Sequence, residues 1–294
     1  MGILLGLTAA VGWGVADFSA RFASRRVGAY RTLFFMQLFG FVVMTAYLEF
    51  TGGITRGVAP GWQPWALAAF AGVINTLSSL ALYYSFQIGV MSIVAPISSS
   101  YPALTVALAL LSGERLKPLG AVGLAVTFIG VILAATSFGA GKPEPSASAP
   151  RPPRAHLAKG VGWSLAAAVG FGFLFWFLGF HVIPLTGTAV SVWMIRVTSF
   201  STLGLVAAPV RQSLRLPRDR VWGFLAIVGL ADTLAFLANN AGLRSGQVSL
   251  VSVLASLYGA VTVLLSWIFL RERLERSQWF GIALIFTGII LVSL

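Results

Sequence analysis

The stretch GERLKPLGAVGLAVTFIGVIL at 113–133 returns, reworded, as RERLERSQWFGIALIFTGIIL at 271–291. The offset is constant at 158 residues, relating Glu114 to Glu272, Gly123 to Gly281 and Gly130 to Gly288. It holds far upstream too, where LTAAVGWG (7–14) faces LAAAVGFG (165–172). Between these ends, GVMSIVAPISSSYPALT (89–105) matches GQVSLVSVLASLYGAVT (246–262) at an offset of 157, one residue having been gained or lost. A period of this length over most of each half makes the chain a duplication of one structural unit.

The unit is apolar. Hydrophobic residues make up 57% of the chain and charged ones 10%, and the mean hydropathy is +0.89, far outside the range of soluble domains. About 20 residues at a rise of about 1.5 Å each cross a hydrocarbon core of about 30 Å. Ten spans are expected, at roughly 2–22, 31–50, 64–87, 91–112, 118–137, 160–180, 187–209, 220–243, 247–270 and 277–293. The first resembles a signal peptide but lacks a basic leader, and its twin at 160–180 is internal, so it is read as a retained helix. The 32 glycines suit closely packed membrane helices.

One stretch breaks the apolar pattern: FGAGKPEPSASAPRPPRAHLAK at 138–159 holds five of the thirteen prolines. It reads as a linker. The expected organisation is therefore a first five-helix repeat at 1–137, a hydrophilic linker at 138–158 and a second repeat at 159–294. Because five is odd, two such units in series enter the membrane from opposite faces. The fold class expected is an all-α integral membrane protein with ten transmembrane helices, as two inverted five-helix repeats around a central cavity. Secondary transporters use such halves to open a midplane site alternately to each side.

The odd-numbered loops hold fifteen Lys and Arg residues and the even-numbered loops four. The positive-inside rule then puts odd loops in the cytoplasm and both termini in the periplasm. The same placement explains the net charge of +12 without invoking nucleic acid. No cysteine is present and the two histidines, His156 and His181, lie apart, so neither a thiolate nor a histidine metal site is expected, and no cofactor. The chain carries no HExxH, nucleophile elbow or Walker loop. An enzyme or an ATP-driven pump is disfavoured.

Away from the ends of the spans the charged residues are few: Asp17, Arg196 and Asp232. A charge at mid-membrane costs at least about 2.5–3.5 kcal/mol, so each is expected to face a partner or a cavity. Arg196 and Asp232 read either as a structural ion pair or as holders of a carboxylate and an ammonium, with a proton as a candidate coupling ion. Asp17 reads as half of a surface i,i+4 pair with Arg21. Glu114 and Glu272 read as setting helix-end depth, with gating as the lesser alternative.

Polar stripes add to the case. Asn75, Ser79 and Tyr83 recur every four residues in the third span; Ser92, Ser99 and Pro102 share a face of the fourth, with Tyr101 at its flank. Ser249, Ser252 and Ser256 do the same in the ninth, where Tyr258 is the repeat mate of Tyr101, and Asn239 and Asn240 follow Asp232 in the eighth. For a lone serine, helix–helix hydrogen bonding is the simpler account, but four stripes in matching places suggest a moderately polar cavity. Trp13 lies too deep for an interfacial anchor, and its mate is Phe171. Trp163 is left between anchor and cavity wall. FGFLFWFLGF at 171–180 reads as mostly facing lipid or neighbouring helices.

With Trp13-Gly14, SIVAPISSSYPALT and GERLKPLGAVGLAVTFIGVIL in one half and SLVSVLASLYGAVT and RERLERSQWFGIALIFTGIIL in the other, the chain resembles the EamA domain of the drug/metabolite transporter superfamily. The likeness covers nearly everything but the linker. More loosely it is similar to the YddG-type bacterial exporters of amino acids. The resemblance implies a ten-helix basket that exports aromatic or other neutral amino acids or related small metabolites across the inner membrane, with multidrug efflux of lipophilic or cationic compounds as the alternative. It points to Trp13, Tyr83, Tyr101, Trp163 and Tyr258 as wall residues. Asn75, Ser79, Ser99, Arg196, Asp232 and Asn239 complete the candidate substrate site, with no metal. Related four-helix exporters use a glutamate in helix 1, where this chain has Trp13, so proton antiport by that route is not implied. Partners expected are a small-molecule substrate and the lipid bilayer; two fused halves permit a monomer to function.

Overall fold

The computed structural model describes residues 1–53, 58–115, 118–135, 159–215, 217, 221–245 and 248–270, with 279–281, 283–284, 287–288 and 291. The described residues form helices α1 (Gly2–Val27), α2 (Ala29–Thr51), α3 (Gln63–Ile88), α4 (Met91–Ser98), α5 (Pro102–Leu111), α6 (Pro118–Ala135), α7 (Val161–Phe177), α8 (Ile183–Ala207), α9 (Trp222–Arg244), α10 (Val248–Ala255) and α11 (Tyr258–Leu270). Seven helical stretches among them are long and apolar enough to cross a membrane. The linker, Glu272 and most of the tenth expected span lie outside the described residues.

Local chemistry accounts for the breaks. Gly28, at φ 89°, turns α1 into α2 with no intervening loop. The run 161–207 is 47 residues long, more than twice one crossing. It passes from α7 through a π-helical turn, Leu178–Val182, into α8. Gly187 then breaks the run, with φ 72° and ψ 174°, a left-handed φ that glycine adopts without a Cβ penalty.

The expected fourth and ninth spans are each broken in the middle. Pro96 and Pro102 frame the gap between α4 and α5, where proline removes a backbone donor. There Ser98, Ser99 and Ser100 each donate a hydroxyl to the carbonyl three residues back, at 2.9, 2.9 and 2.7 Å. In the second half Ser256 does the same to Val253 at 2.7 Å, with no proline nearby. This serine back-bonding competes with the regular helical ladder.

Packing recurs when the halves are exchanged. Helix α1 lies on α9 as α7 lies on α3; α1 meets α10 and α11 as α7 meets α4 and α5; α4 meets α11 as α10 meets α5. The contacts repeat at atomic scale. Thr105 Oγ1 donates to the Gly172 carbonyl at 2.9 Å and its mate Thr262 to the Gly14 carbonyl at 3.3 Å. Thr76 and its mate Thr233 bond back to Gly72 and Gly229, at 2.7 and 2.6 Å.

Candidate functional site

The centre of the bundle is an aromatic box. Trp13, on α1, is its hub: its ring centroid lies 5.3 Å from Phe175, 5.2 Å from Phe236 and 6.2 Å from Tyr258. Tyr101 and Tyr258 sit at the two helix breaks and stack at 12° with centroids 6.3 Å apart. Tyr101 donates to the Ser252 carbonyl at 2.9 Å and Tyr258 to the Ser98 hydroxyl at 3.1 Å, so each tyrosine ties its half to the other.

Beside this box lies a buried ion pair. The Arg196 guanidinium donates to Asp232 Oδ2 at 2.5 Å and to Gln37 Oε1 at 2.9 Å. It also lies 5.0 Å from the Phe236 ring centroid, within cation–π range. Arg196 is completely buried. Gly40 makes room for it, since a Cβ there would fall 2.8 Å from the arginine Cδ and Nε. The repeat mate of Asp232, at an offset of 157, is Asn75, so this carboxylate belongs to the second half alone. Asn75 instead bonds Ser199 at 3.4 Å.

The central cavity has a volume of about 30 Å³ and is lined by Trp13, Asp17, Met36, Ser79, Leu82, Tyr83, Tyr101, Phe171, Phe175, Asp232, Phe236 and Tyr258. That is room for roughly one water, so a larger solute would have to part these walls. Six of the eleven expected site residues meet here: Trp13, Ser79, Tyr83, Tyr101, Asp232 and Tyr258. Arg196 reaches the cavity through Asp232 and Phe236. Asn75 and Asn239 are buried away from its walls.

Two expected site residues lie elsewhere. Ser99 lines a largely apolar groove of about 410 Å³ between α5, α6 and α10, because the helix break ends the face it would share with Ser92. Trp163 is half-exposed and packs edge-on to Tyr84, with centroids 5.1 Å apart.

Asp17 is a correction. It is not a surface group but 5% exposed, lines the cavity, and has no hydrogen-bond partner for Oδ2. Its position one turn beyond Trp13 was the available signal. The i,i+4 arginine suggested the wrong face. Phe175 was likewise hidden in an all-aromatic run, although Phe171 and Phe175 share a helical face and both line the cavity. Gln37 was missed because nothing in its own span marks it.

Outside the membrane spans, Glu114 follows α5 and accepts the Ser249 backbone N–H at 3.2 and 3.3 Å. Burial pushes its carboxyl above the usual 4.5, and the Ser249 hydrogen bonds pull part of that back. A carboxyl raised on folding holds more protons folded than unfolded. Its contribution to stability therefore falls as pH climbs from 4.5 through the raised value and is level above it. The melting temperature of Glu114→Gln should accordingly gain on the parent's as pH rises from 4.5 to 7. Melting curves of both proteins across that range test it.

Seven helical stretches of crossing length packed around a buried charge pair define a polytopic membrane protein. The sequence profile of the EamA-like transporter family matches residues 1–136 and 158–294, and the chain belongs to that family. It is a multi-pass membrane transporter, not an enzyme. An uncharacterized protein of Methanocaldococcus jannaschii is 31% identical over 136 residues, which are 46% of this chain and 96% of that protein. The "uncharacterized transporter in cobO 3′ region" of a Sinorhizobium species is 34% identical over 74 residues, 25% of this chain. The chain spans about half (52%) of that relative's length. A solved structure described as "Crystal structure of protein" superposes with a TM-score of 0.76 at 18% identity, over all of this chain and 98% of that one; this likeness is one of fold.

Proposed function

We propose that the chain is a YddG-like secondary transporter that exports aromatic and other neutral amino acids, or related zwitterionic metabolites, across the bacterial inner membrane. The observation that carries this reading is the Arg196–Asp232 pair set against the aromatic box. When the pair opens, a guanidinium faces a substrate carboxylate, a carboxylate faces its ammonium, and the rings take its apolar side chain. Trp13, Ser79, Tyr83, Tyr101, Arg196, Asp232 and Tyr258 form the site. Asn75, Ser99, Trp163 and Asn239 stand outside it until the walls part.

The proposed mechanism is alternating access between two inverted five-helix repeats, 1–137 and 159–294, joined by the linker 138–158. Exchange-related contacts such as Thr105–Gly172 and Thr262–Gly14 support equivalent halves. The Lys and Arg bias supports both termini in the periplasm. Each chain supplies both gates, which permits a monomer to function.

Asp17 favours a second reading, efflux of lipophilic cations. Two carboxyl groups, those of Asp17 and Asp232, line the cavity within aromatic walls. Uptake of labelled phenylalanine, threonine, methionine and lysine into vesicles holding the purified protein separates the two, with and without a pH gradient. Saturable uptake of the neutral amino acids is expected, abolished in Asp232→Asn and retained in Asp17→Asn. Concentration of a lipophilic cation alone, lost in Asp17→Asn, would overturn the amino-acid reading.

A further inference from the structure

Between the central cavity and one mouth of the bundle, buried polar atoms stand without partners. On α9, Asn239 leaves both Nδ2 and Oδ1 unbonded, and Asn240, which donates to Ser191 at 3.0 Å, leaves Oδ1 unbonded. On α10, the hydroxyl of Ser252 is unbonded as well, and that of Ser249 stands beside the Glu114 carboxylate. All four residues have no measurable exposure. Such atoms are expensive to bury and call for an explanation.

Their placement supplies one. Along α9, Asp232 and Phe236 line the cavity, Asn239 and Asn240 come next, and Leu243 and Arg244 line a vestibule of about 430 Å³. Along α10, the Ser252 carbonyl takes the hydroxyl of the cavity residue Tyr101, while the Ser249 N–H meets the vestibule residue Glu114. The two helices pack side by side, with Gly242 so close that a Cβ would fall 2.8 Å from Val251. Both rows thus run from the same centre to the same vestibule.

The other half repeats this only in part. At the offset of 157 that aligns Gly72 with Gly229 and Thr76 with Thr233, the mates of Asn239 and Ser252 are Leu82 and Ala95, both buried and apolar, whereas those of Asn240 and Ser249 are Tyr83 and Ser92, which keep a hydroxyl.

We infer that Asn239, Asn240, Ser249 and Ser252 form a hydrophilic passage, closed and dry in this arrangement, through which a hydrated polar solute travels between the central site and the even-loop face. On the equivalent route of the opposite face, two of the four polar positions, those of Asn239 and Ser252, are taken by the apolar Leu82 and Ala95. Asn239, Asn240 and Ser252 gain their missing hydrogen bonds from water and solute when the passage opens. The two gates are therefore chemically unlike despite the duplicated scaffold. This inference rests on the carrier reading above but not on which solute is carried.

The chain lacks cysteine, so single cysteines report access directly. Asn239→Cys, Ser252→Cys and Ala95→Cys are placed in vesicles and treated from each side with a charged, membrane-impermeant methanethiosulfonate, without any substrate. Trp62→Cys, on the exposed even-loop side, and Gln212→Cys, on the exposed odd-loop side, mark the faces. Residues 239 and 252 should react from the Trp62 side at least tenfold faster than residue 95 does from the Gln212 side. Failure of both to react, or equal reaction at residue 95, overturns the inference. Because no amino acid is present, a wrong substrate assignment leaves this result untouched. Asn239→Leu gives an independent arm: it removes two unbonded atoms, so its melting temperature should hold or rise while uptake slows at least tenfold. Unchanged uptake overturns the passage, and a lowered melting temperature with proportionate loss of uptake assigns Asn239 to structure.

Discussion

Replacing Arg196 with alanine is expected to destabilise the protein by about 3–5 kcal/mol, because it strands a buried Asp232 without its cation. The pair is enclosed by Gln37, Met36 and Phe236, so water does not readily take the place of the guanidinium. Removing both charges at once has a different outcome. In Arg196→Met/Asp232→Leu no ion is left in the interior, and such exchanges are often neutral or stabilising. The double variant should therefore melt near the parent temperature yet transport at least a hundredfold less. Melting curves and initial uptake rates on both variants separate the roles. A double variant that still transports makes the pair structural and moves the substrate site to the aromatic walls.

The asymmetry of this pair argues for function over scaffolding. A duplicated fold satisfies the equivalent position in the first half with Asn75, bonded to the Ser199 hydroxyl. The scaffold therefore does not need charge there. That the second half carries both an arginine and an aspartate at the expense of desolvation points to something they bind.

Much of the architecture was legible because it rests on hydropathy and repetition. Apolar runs of crossing length leave the backbone few options other than helix, and the described helices follow the expected spans to within a few residues. The breaks at Ser99–Tyr101 and Ser256–Leu257 were not legible, since serines inside an apolar run fit a continuous helix equally well. Pro96 and Pro102 gave a local signal in the first half, and the second half breaks without one. The centre was half legible. Trp13, Tyr101, Asp232 and Tyr258 declared themselves by depth or by repeat position, whereas Asp17 was misplaced because a local charge pair outweighed its helical phase with Trp13. Ser99 and Trp163 lie away from the cavity for geometric reasons, a broken face and a helix side turned outward, and neither is written in spacing.

The largest effect on motion is expected at Gly14 and Gly172, repeat mates at which two helices lie in close contact. A Cβ on Gly14 would fall 2.4 Å from Val261 Cγ1, and one on Gly172 would fall 2.8 Å from both Leu104 Cβ and the Tyr101 carbonyl. Alanine at either site must therefore pry α1 from α11, or α7 from α5, at a cost of about 1–3 kcal/mol. Each contact sits directly beside one of the two stacked tyrosines, so either change loosens the closure of the cavity. If the halves work as inverted gates, the two substitutions loosen it toward opposite faces. Leu82→Cys, which lines the cavity, reports the direction. Added to that background, Gly14→Ala and Gly172→Ala should each raise impermeant-reagent labelling several-fold, from opposite sides of the membrane. Labelling from the same side in both would mean that the two contacts open together. A passage open at both contacts at once is a channel, and two exchange-related contacts that open in turn are what a carrier requires.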